Sequence, residues 1–275
     1  MARRCAGEPS ISVGLVQAVP AVAVRTTGGF VAADGGPVPA GEYRVRRSAG
    51  QVCVDGLASA VGEAWHVRPA DPDAGRFSLE TTIGIDFHWE QRERQSFAGA
   101  LRAIPSGADR LTVVNDVPLE TYLASVVCSE MSSTSAPDLS RAHAVIARSW
   151  LLAQMARRGQ APPSAPPGRP RLAGEWIRWY DRESHTDFDV CADDHCQRYQ
   201  GVGRIDNPDV LQAIRATRGE VLTYAGAVCD ARYSKCCGLA GERRRDQPDA
   251  ALPEPPLTGE AAARAWIAGA PRSWC

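Results

Sequence analysis

The sequence predicts an α+β protein: a β-rich N-terminal part, then a part in which two main helices pack on a mixed or antiparallel sheet. Three observations carry this. Short apolar and β-branched runs between Gly, Pro and Asp clusters recur from residue 11 to about residue 114. Apolar residues then switch to helical spacing beyond Asn115-Asp116. Strand signals return in the last third of the chain, after a Pro-rich insertion near 161–170. The expected division is a β-rich region over 1–110 and a second region over 111–275.

In the first region the strand candidates are Ile11–Leu15, Ala21–Arg25, Glu42–Val45, Gln51–Val54, Arg76–Glu80 and, across the boundary, Leu111–Val114. Glycines such as Gly28, Gly35 and Gly50 supply the turns between them. Asp116 is a candidate helix cap with Pro118 in the first turn. Leu119, Leu123 and Val126 then mark one buried stripe. A second helix is expected from about Asp138 to Arg157, with Leu139, Ala142, Val145, Ile146, Leu152 and Met155 on its apolar side and Gly159 as a stop. Further strands are expected at Trp176–Trp179, Glu220–Tyr224 and Val228–Tyr233. Short helices are expected at Asn207 to Thr217 and at about Gly259 to Ala268, the latter after a polar Pro-rich stretch from Arg243 to Pro256.

Composition excludes several classes. The chain of 275 residues is 44% hydrophobic and 23% charged, ordinary for a globular protein and unlike a disordered one. A net charge of −1 gives no broad basic face for nucleic acid or for an anionic membrane. No apolar run is long enough for a transmembrane segment. Ile11 to Val24 imitates a signal peptide after Arg3 and Arg4, but Gln17 and Pro20 interrupt it and a strand is the preferred reading, so no convincing export signal is expected. Nine cysteines is an odd number for complete pairing.

Glu130 is the first candidate for chemistry. It follows Leu119, Leu123 and Val126 by eleven, seven and four residues, which puts it on the buried face at the C-terminal end of its helix. Lost hydration and the negative end of the helix dipole both favour its protonated form, as a general acid needs. The alternative is an exposed Glu in a fraying last turn. Arg141 and Arg148 stand seven residues apart, on one face, and either hold an anionic substrate, orient Glu130, or are simply solvated. His143 lies off that face, where a lone His is more often structural.

His185, Cys191, His195 and Cys196 gather two His and two Cys within twelve residues. Zinc sites commonly use four ligands of these types, and four protein ligands would make the site structural. The spacing is not that of a zinc finger. A Cys191–Cys196 disulfide is the alternative, and it leaves the two His unexplained. Cys236-Cys237 before Gly238 is either a redox-active vicinal pair or part of a tight turn. No nucleophile elbow, zinc-protease helix, phosphate loop or complete dinucleotide fingerprint is present.

Val113-Val-Asn-Asp-Val-Pro-Leu-Glu-Thr-Tyr-Leu-Ala-Ser-Val-Val-Cys-Ser-Glu130-Met131 resembles the core motif of the SpoIID/LytB family. Arg141-Ala-His-Ala-Val-Ile-Ala-Arg148-Ser-Trp150 is similar to its next helix. Asp187 to Cys191 with His195 to Gly201, Ala213 to Tyr224, and Asp230 to Gly238 are similar to later blocks, all in family order. The resemblance implies a peptidoglycan lytic transglycosylase that cuts between N-acetylmuramic acid and N-acetylglucosamine and leaves a 1,6-anhydro ring. It implies Glu130 as the catalytic acid. It makes Arg141, His143, Arg148, Tyr233 and Ser234 substrate-binding candidates, and His185, Cys191, His195 and Cys196 zinc ligands. The implied partners are glycan strands, and the implied location is the cell envelope. Two departures stand out: His143 replaces the family's usual Gln, and Arg141 its usual Lys. After Cys237 the stretch Gly238-Leu-Ala-Gly-Glu242 is irregular. A second reading is a non-catalytic glycan-binding module that enhances a cell-wall amidase. A third is a structural remnant without a ligand.

Overall fold

The computed structural model describes residues 2–4, 8–57, 62–85, 88–131, 135–157 and 185–233. The chain divides into two compact units, Met1–Ala231 and Arg232–Cys275, and of the second only Arg232 and Tyr233 are described. Outside the described residues lie Ser234, the Pro-rich insertion at 161–170, the expected strand at 176–179, Cys236-Cys237 and the expected last helix.

The fold is α+β. The strands are β1 (Ala2–Arg4), β2 (Ser10–Val19), β3 (Ala21–Thr27), β4 (Phe30–Ala32), β5 (Pro37–Val38), β6 (Gly41–Ser48), β7 (Gln51–Asp55) and β8 (Trp65–Pro69). They continue as β9 (Arg76–Ile83), β10 (Gln91–Phe97), β11 (Ala100–Pro105), β12 (Leu111–Pro118), β13 (Val190–Cys191), β14 (Glu220–Tyr224) and β15 (Ala227–Val228). The described helices are α1 (Leu119–Glu130), α2 (Pro137–Arg157) and α3 (Pro208–Ala216).

The described residues form three sheets. One has five strands, all antiparallel, in the order β10-β9-β3-β6-β7. One has seven, in the order β13-β2-β12-β11-β8-β4-β5, and is mixed because β13 runs parallel to β2. The third has three, β1-β14-β15. The seven-stranded sheet runs across residue 110, since β12 pairs with β2 on one side and β11 on the other. Val113 and Val114 of β12 are both buried, so this strand is covered on both faces and reads as a continuous apolar run.

β8 alternates between buried and exposed residues, yet it was absent from the expected strands, as was β10. β10 is an edge strand that reads Gln-Arg-Glu-Arg-Gln-Ser-Phe, and its charged outer face hides the period. The strands expected at Glu220–Tyr224 and Val228–Tyr233 pair as a hairpin, with Ala225 and Gly226 both at positive φ in its two-residue turn. Its second strand stops at Val228 rather than reaching Tyr233.

Asp116 does not cap α1. It stays in β12 and takes two hydrogen bonds from the Arg102 guanidinium, at 2.6 and 2.9 Å. The first amides of α1 are met from a distant segment: Leu119 N–H donates to the Pro9 carbonyl and Glu120 N–H to Glu8 Oε1, both at 3.0 Å. A carboxylate there also complements the helix dipole.

The expected apolar face of α2 is corrected. Leu139 is 47% exposed and Ala142 is exposed. The buried stripe is Ser140, His143, Ala144, Ala147, Arg148 and Leu151. Its spacing is helical, but small and polar residues fill it. The polar ones can be buried because other elements supply partners; Ser149 Oγ, for instance, accepts the Leu222 amide of β14 at 2.8 Å.

An aromatic column ties the five-stranded sheet to the helices. Phe77 of β9 stacks on Phe97 of β10, Phe97 meets Tyr199, and Tyr199 stacks on Tyr122 of α1, with centroids 5.1 to 5.8 Å apart. Gly201 follows at φ 72°, and a Cβ there would lie 2.2 Å from the Ser96 carbonyl oxygen, so only glycine allows this approach.

Candidate functional site

α1 presents a glutamate to α2 at each end. Near the start, Glu120 receives two hydrogen bonds from Arg148, Nε at 3.0 Å and Nη2 at 2.7 Å. The Arg148 side chain is 1% exposed, and its Nη1 also donates to the Glu220 carbonyl at 2.9 Å. This two-point pair joins α1, α2 and β14. Arg148 therefore serves the other glutamate, not Glu130. Arg141, two turns earlier, is exposed and pairs with Asp138 at 3.3 Å. The two arginines do not form one surface.

At the far end, Glu130 is the last residue of α1, and its side chain is 18% exposed. Its Oε2 lies 3.1 Å from His143 Nε2, and the His143 side chain is fully buried. Its Oε1 accepts the Arg198 backbone amide at 3.0 Å. Spacing alone put His143 off the face of Arg141 and Arg148, and only the family resemblance made it a substrate-binding candidate. The structure brings it into contact with Glu130, because α2 turns a different face to α1 than its apolar residues suggest.

Segment 197–200 is fixed at every residue. Gln197 accepts from Tyr122 Oη at 3.1 Å and donates to the Ala147 carbonyl at 3.2 Å. Tyr199 Oη donates to Asn115 Oδ1 at 2.7 Å, and the Gln200 amide donates to Ser125 Oγ at 3.1 Å. The Arg198 guanidinium turns outward to Asp194, at 3.0 and 3.1 Å, and lies over the Trp89 ring at 4.7 Å. Sequence reasoning missed Arg198, Asp194, Trp89 and Glu120. A backbone donor such as the Arg198 amide leaves no signal in residue type.

His185, Cys191, His195 and Cys196 come together just before this segment. Their ligand atoms all lie within 4.8 Å of one another. Cys191 Sγ is 3.7 Å from His195 Nδ1, and Cys196 Sγ is 3.4 Å from both His185 Nε2 and His195 Nδ1. A tetrahedral zinc with bonds of about 2.3 Å to sulfur and 2.0–2.1 Å to nitrogen needs S···N edges of about 3.5 Å. The four residues fit that requirement and could hold a metal ion. Cys191 and Cys196 are both free thiols. Hydrogen bonding to Cys196, and then burial, push the Cys191 thiol up to about 11. Phe188 packs under the site against Gly14 of β2, where any side chain would meet the ring within 2.5 Å.

Tyr233 is half-buried, and Ser234 falls outside the described residues. Two cavities, of about 210 and 330 Å³, lie away from Glu130: one between β2, β9 and Cys191–Asp193, the other beside Glu8, Glu120 and Arg218.

Residues 107–224 match the family model of the stage II sporulation protein, SpoIID. That stretch is similar to a SpoIID domain and spans less than half of the chain. The family is associated with cell-wall hydrolysis and is a sporulation-related cell-wall domain. The matched stretch holds α1, α2, the His/Cys group, α3 and β14, and ends before Tyr233. No curated protein gives a significant match to the chain. Among the described residues, no helix is long and apolar enough to cross a membrane.

Proposed function

We propose that the protein is a peptidoglycan lytic transglycosylase with Glu130 as its general acid and base. The observation that supports this best is the setting of Glu130 in a stretch similar to a SpoIID domain: a carboxyl group at a helix end, held at one oxygen by a backbone amide, yet 18% exposed so that a sugar oxygen can reach it. One carboxyl suffices because the nucleophile belongs to the substrate. The Glu130 proton passes to the leaving oxygen as the bond from the muramic C1 breaks and its electron pair stays with that oxygen. The muramic C6 hydroxyl then bonds to C1 and returns its proton to the Glu130 carboxylate. No water is consumed, and the second carboxylate of a hydrolase has no task here.

In this reading Arg141, which is exposed, and Tyr233 and Ser234 bind substrate. Arg148 holds the helix pair through Glu120. His185, Cys191, His195 and Cys196 hold a structural zinc that fixes the segment carrying the Arg198 amide. The site of action is the cell envelope. A second reading, a glycan-binding module that enhances a cell-wall amidase, draws on the two described cavities lying away from Glu130.

The test is mass spectrometry of purified glycan strands incubated with the full chain. Transglycosylation gives muramic ends one water lighter than hydrolysis does. Ordinary reducing ends would contradict the mechanism, and binding without cleavage would favour the module.

A further inference from the structure

The geometry points to His143 as a positioning residue for Glu130, with its Nε2 sharing the proton on the Oε2 side so that the pair, not Glu130 alone, stores the proton of the reaction. This inference rests on the reading of Glu130 as the acid and deepens it. A backbone N–H can only donate, so the Arg198 amide makes Oε1 an acceptor in every protonation state. Such a bond is best accepted by the carbonyl-type oxygen, which makes Oε2 the better-placed carrier of the carboxyl proton. That oxygen faces Nε2 at 3.1 Å, and a bond there needs one hydrogen between them. Either neutral imidazole accepts it from Oε2–H, or Nε2–H donates it to the carboxylate. An imidazolium at a fully buried side chain requires a charged partner, and Glu130 is in place to be one.

Among the described residues, the charged groups named next are paired elsewhere or exposed. Arg198 is bound by Asp194 on the metal-side segment. Asp138 and Arg141 pair with each other on α2, and Glu120 is closed by Arg148 at the other end of α1. Asp209 and Arg215 of α3 are exposed. A Gln at 143 would hold Oε2 by a hydrogen bond but could never take up its proton. During turnover one proton leaves the pair for the leaving oxygen and one returns from the C6 hydroxyl, so the pair is restored. Because imidazole can take up a proton and an amide cannot, replacing His143 by Gln should change how turnover depends on pH.

Two measurements on the full chain test this. In the first, kcat and KM on purified glycan strands are followed across pH for the wild type, His143→Gln and His143→Ala. His143→Gln should stay folded and active, with KM little changed and the alkaline limb of kcat moved to lower pH. His143→Ala, which also loses the hold on Oε2, should lose roughly ten- to a hundredfold in kcat. A His143→Gln profile that superimposes on the wild type overturns the inference. The second measurement needs no turnover: the His143 ring nitrogens are titrated by nitrogen NMR in the wild type and in Glu130→Gln. The midpoint should fall when Glu130 loses its charge, and an unchanged midpoint overturns the pairing. Absence of glycan cleavage in every protein would refute the transglycosylase reading alone, and the titration would still decide the pair.

Discussion

The two glutamates that α1 offers to α2 sit at opposite ends of one helix and meet opposite kinds of partner. Glu120 is closed by a guanidinium that stays charged at every physiological pH, through two hydrogen bonds in a dry setting. Glu130 meets an imidazole and a backbone amide, and part of its surface stays open. The first arrangement cannot exchange protons without breaking the helix contact. The second faces an imidazole, a group that can itself take up or release a proton. Burial of a carboxylate on a helix face does not by itself set its chemistry; what faces it does.

That contrast can be broken most heavily at the closed end. Arg148→Met leaves Glu120 buried without its cation and should destabilise the fold by about 3–5 kcal/mol, measured by denaturant unfolding. Adding Glu120→Leu should recover much of that loss, because a well-packed apolar pair often matches a buried ion pair. If Arg148→Met unfolds like the wild type, Glu120 and Arg148 are not the clamp described here.

At the open end, the metal-side segment supplies the Arg198 amide, so removing the metal should act on turnover. Cys191→Ser should lose about one equivalent of bound zinc by elemental analysis. It should also lower kcat roughly ten- to a hundredfold as Glu130 loses its second anchor. Acid should release the ion as well. The Cys191 thiol is pushed up to about 11 by Cys196 and by burial, so it holds its proton firmly in the absence of metal. Metal binding must displace that proton, and falling pH favours the proton. Zinc retained in full at mildly acidic pH and in Cys191→Ser would refute this ligand set.

Smaller effects should follow outward from the site. Trp89→Ala removes a ring worth about 0.5–2 kcal/mol to the Arg198 guanidinium and should raise backbone exchange at Arg198. Arg141→Ala should change stability by no more than about 0.5 kcal/mol, since its pair with Asp138 is exposed, and any effect should fall on KM. A large loss of stability in Arg141→Ala would mean that α2 is anchored differently from this account.

Much of this arrangement was legible in the sequence where one local pattern decides the outcome. The stripe of Leu119, Leu123 and Val126 placed α1, and all three residues are buried. The His/Cys group was visible because its four members fall within one short stretch. What could not be read depends on partners remote in sequence. The buried face of α2 carries His143, Arg148 and Ser149, which are acceptable inside only because Glu130, Glu120 and the Leu222 amide face them. Hydrophobic periodicity pointed to the wrong side of that helix for the same reason. The start of α1 was misread because its orphan amides find Pro9 and Glu8, more than a hundred residues earlier, instead of a local cap.

The central claim is that Glu130 supplies the proton. Its most direct test is the kcat of Glu130→Gln on purified glycan strands, with thermal unfolding recorded in parallel. The expected result is a loss of about 10²–10⁴-fold in kcat with an unchanged unfolding midpoint. A variant that still turns over within a few-fold of the wild type would contradict it.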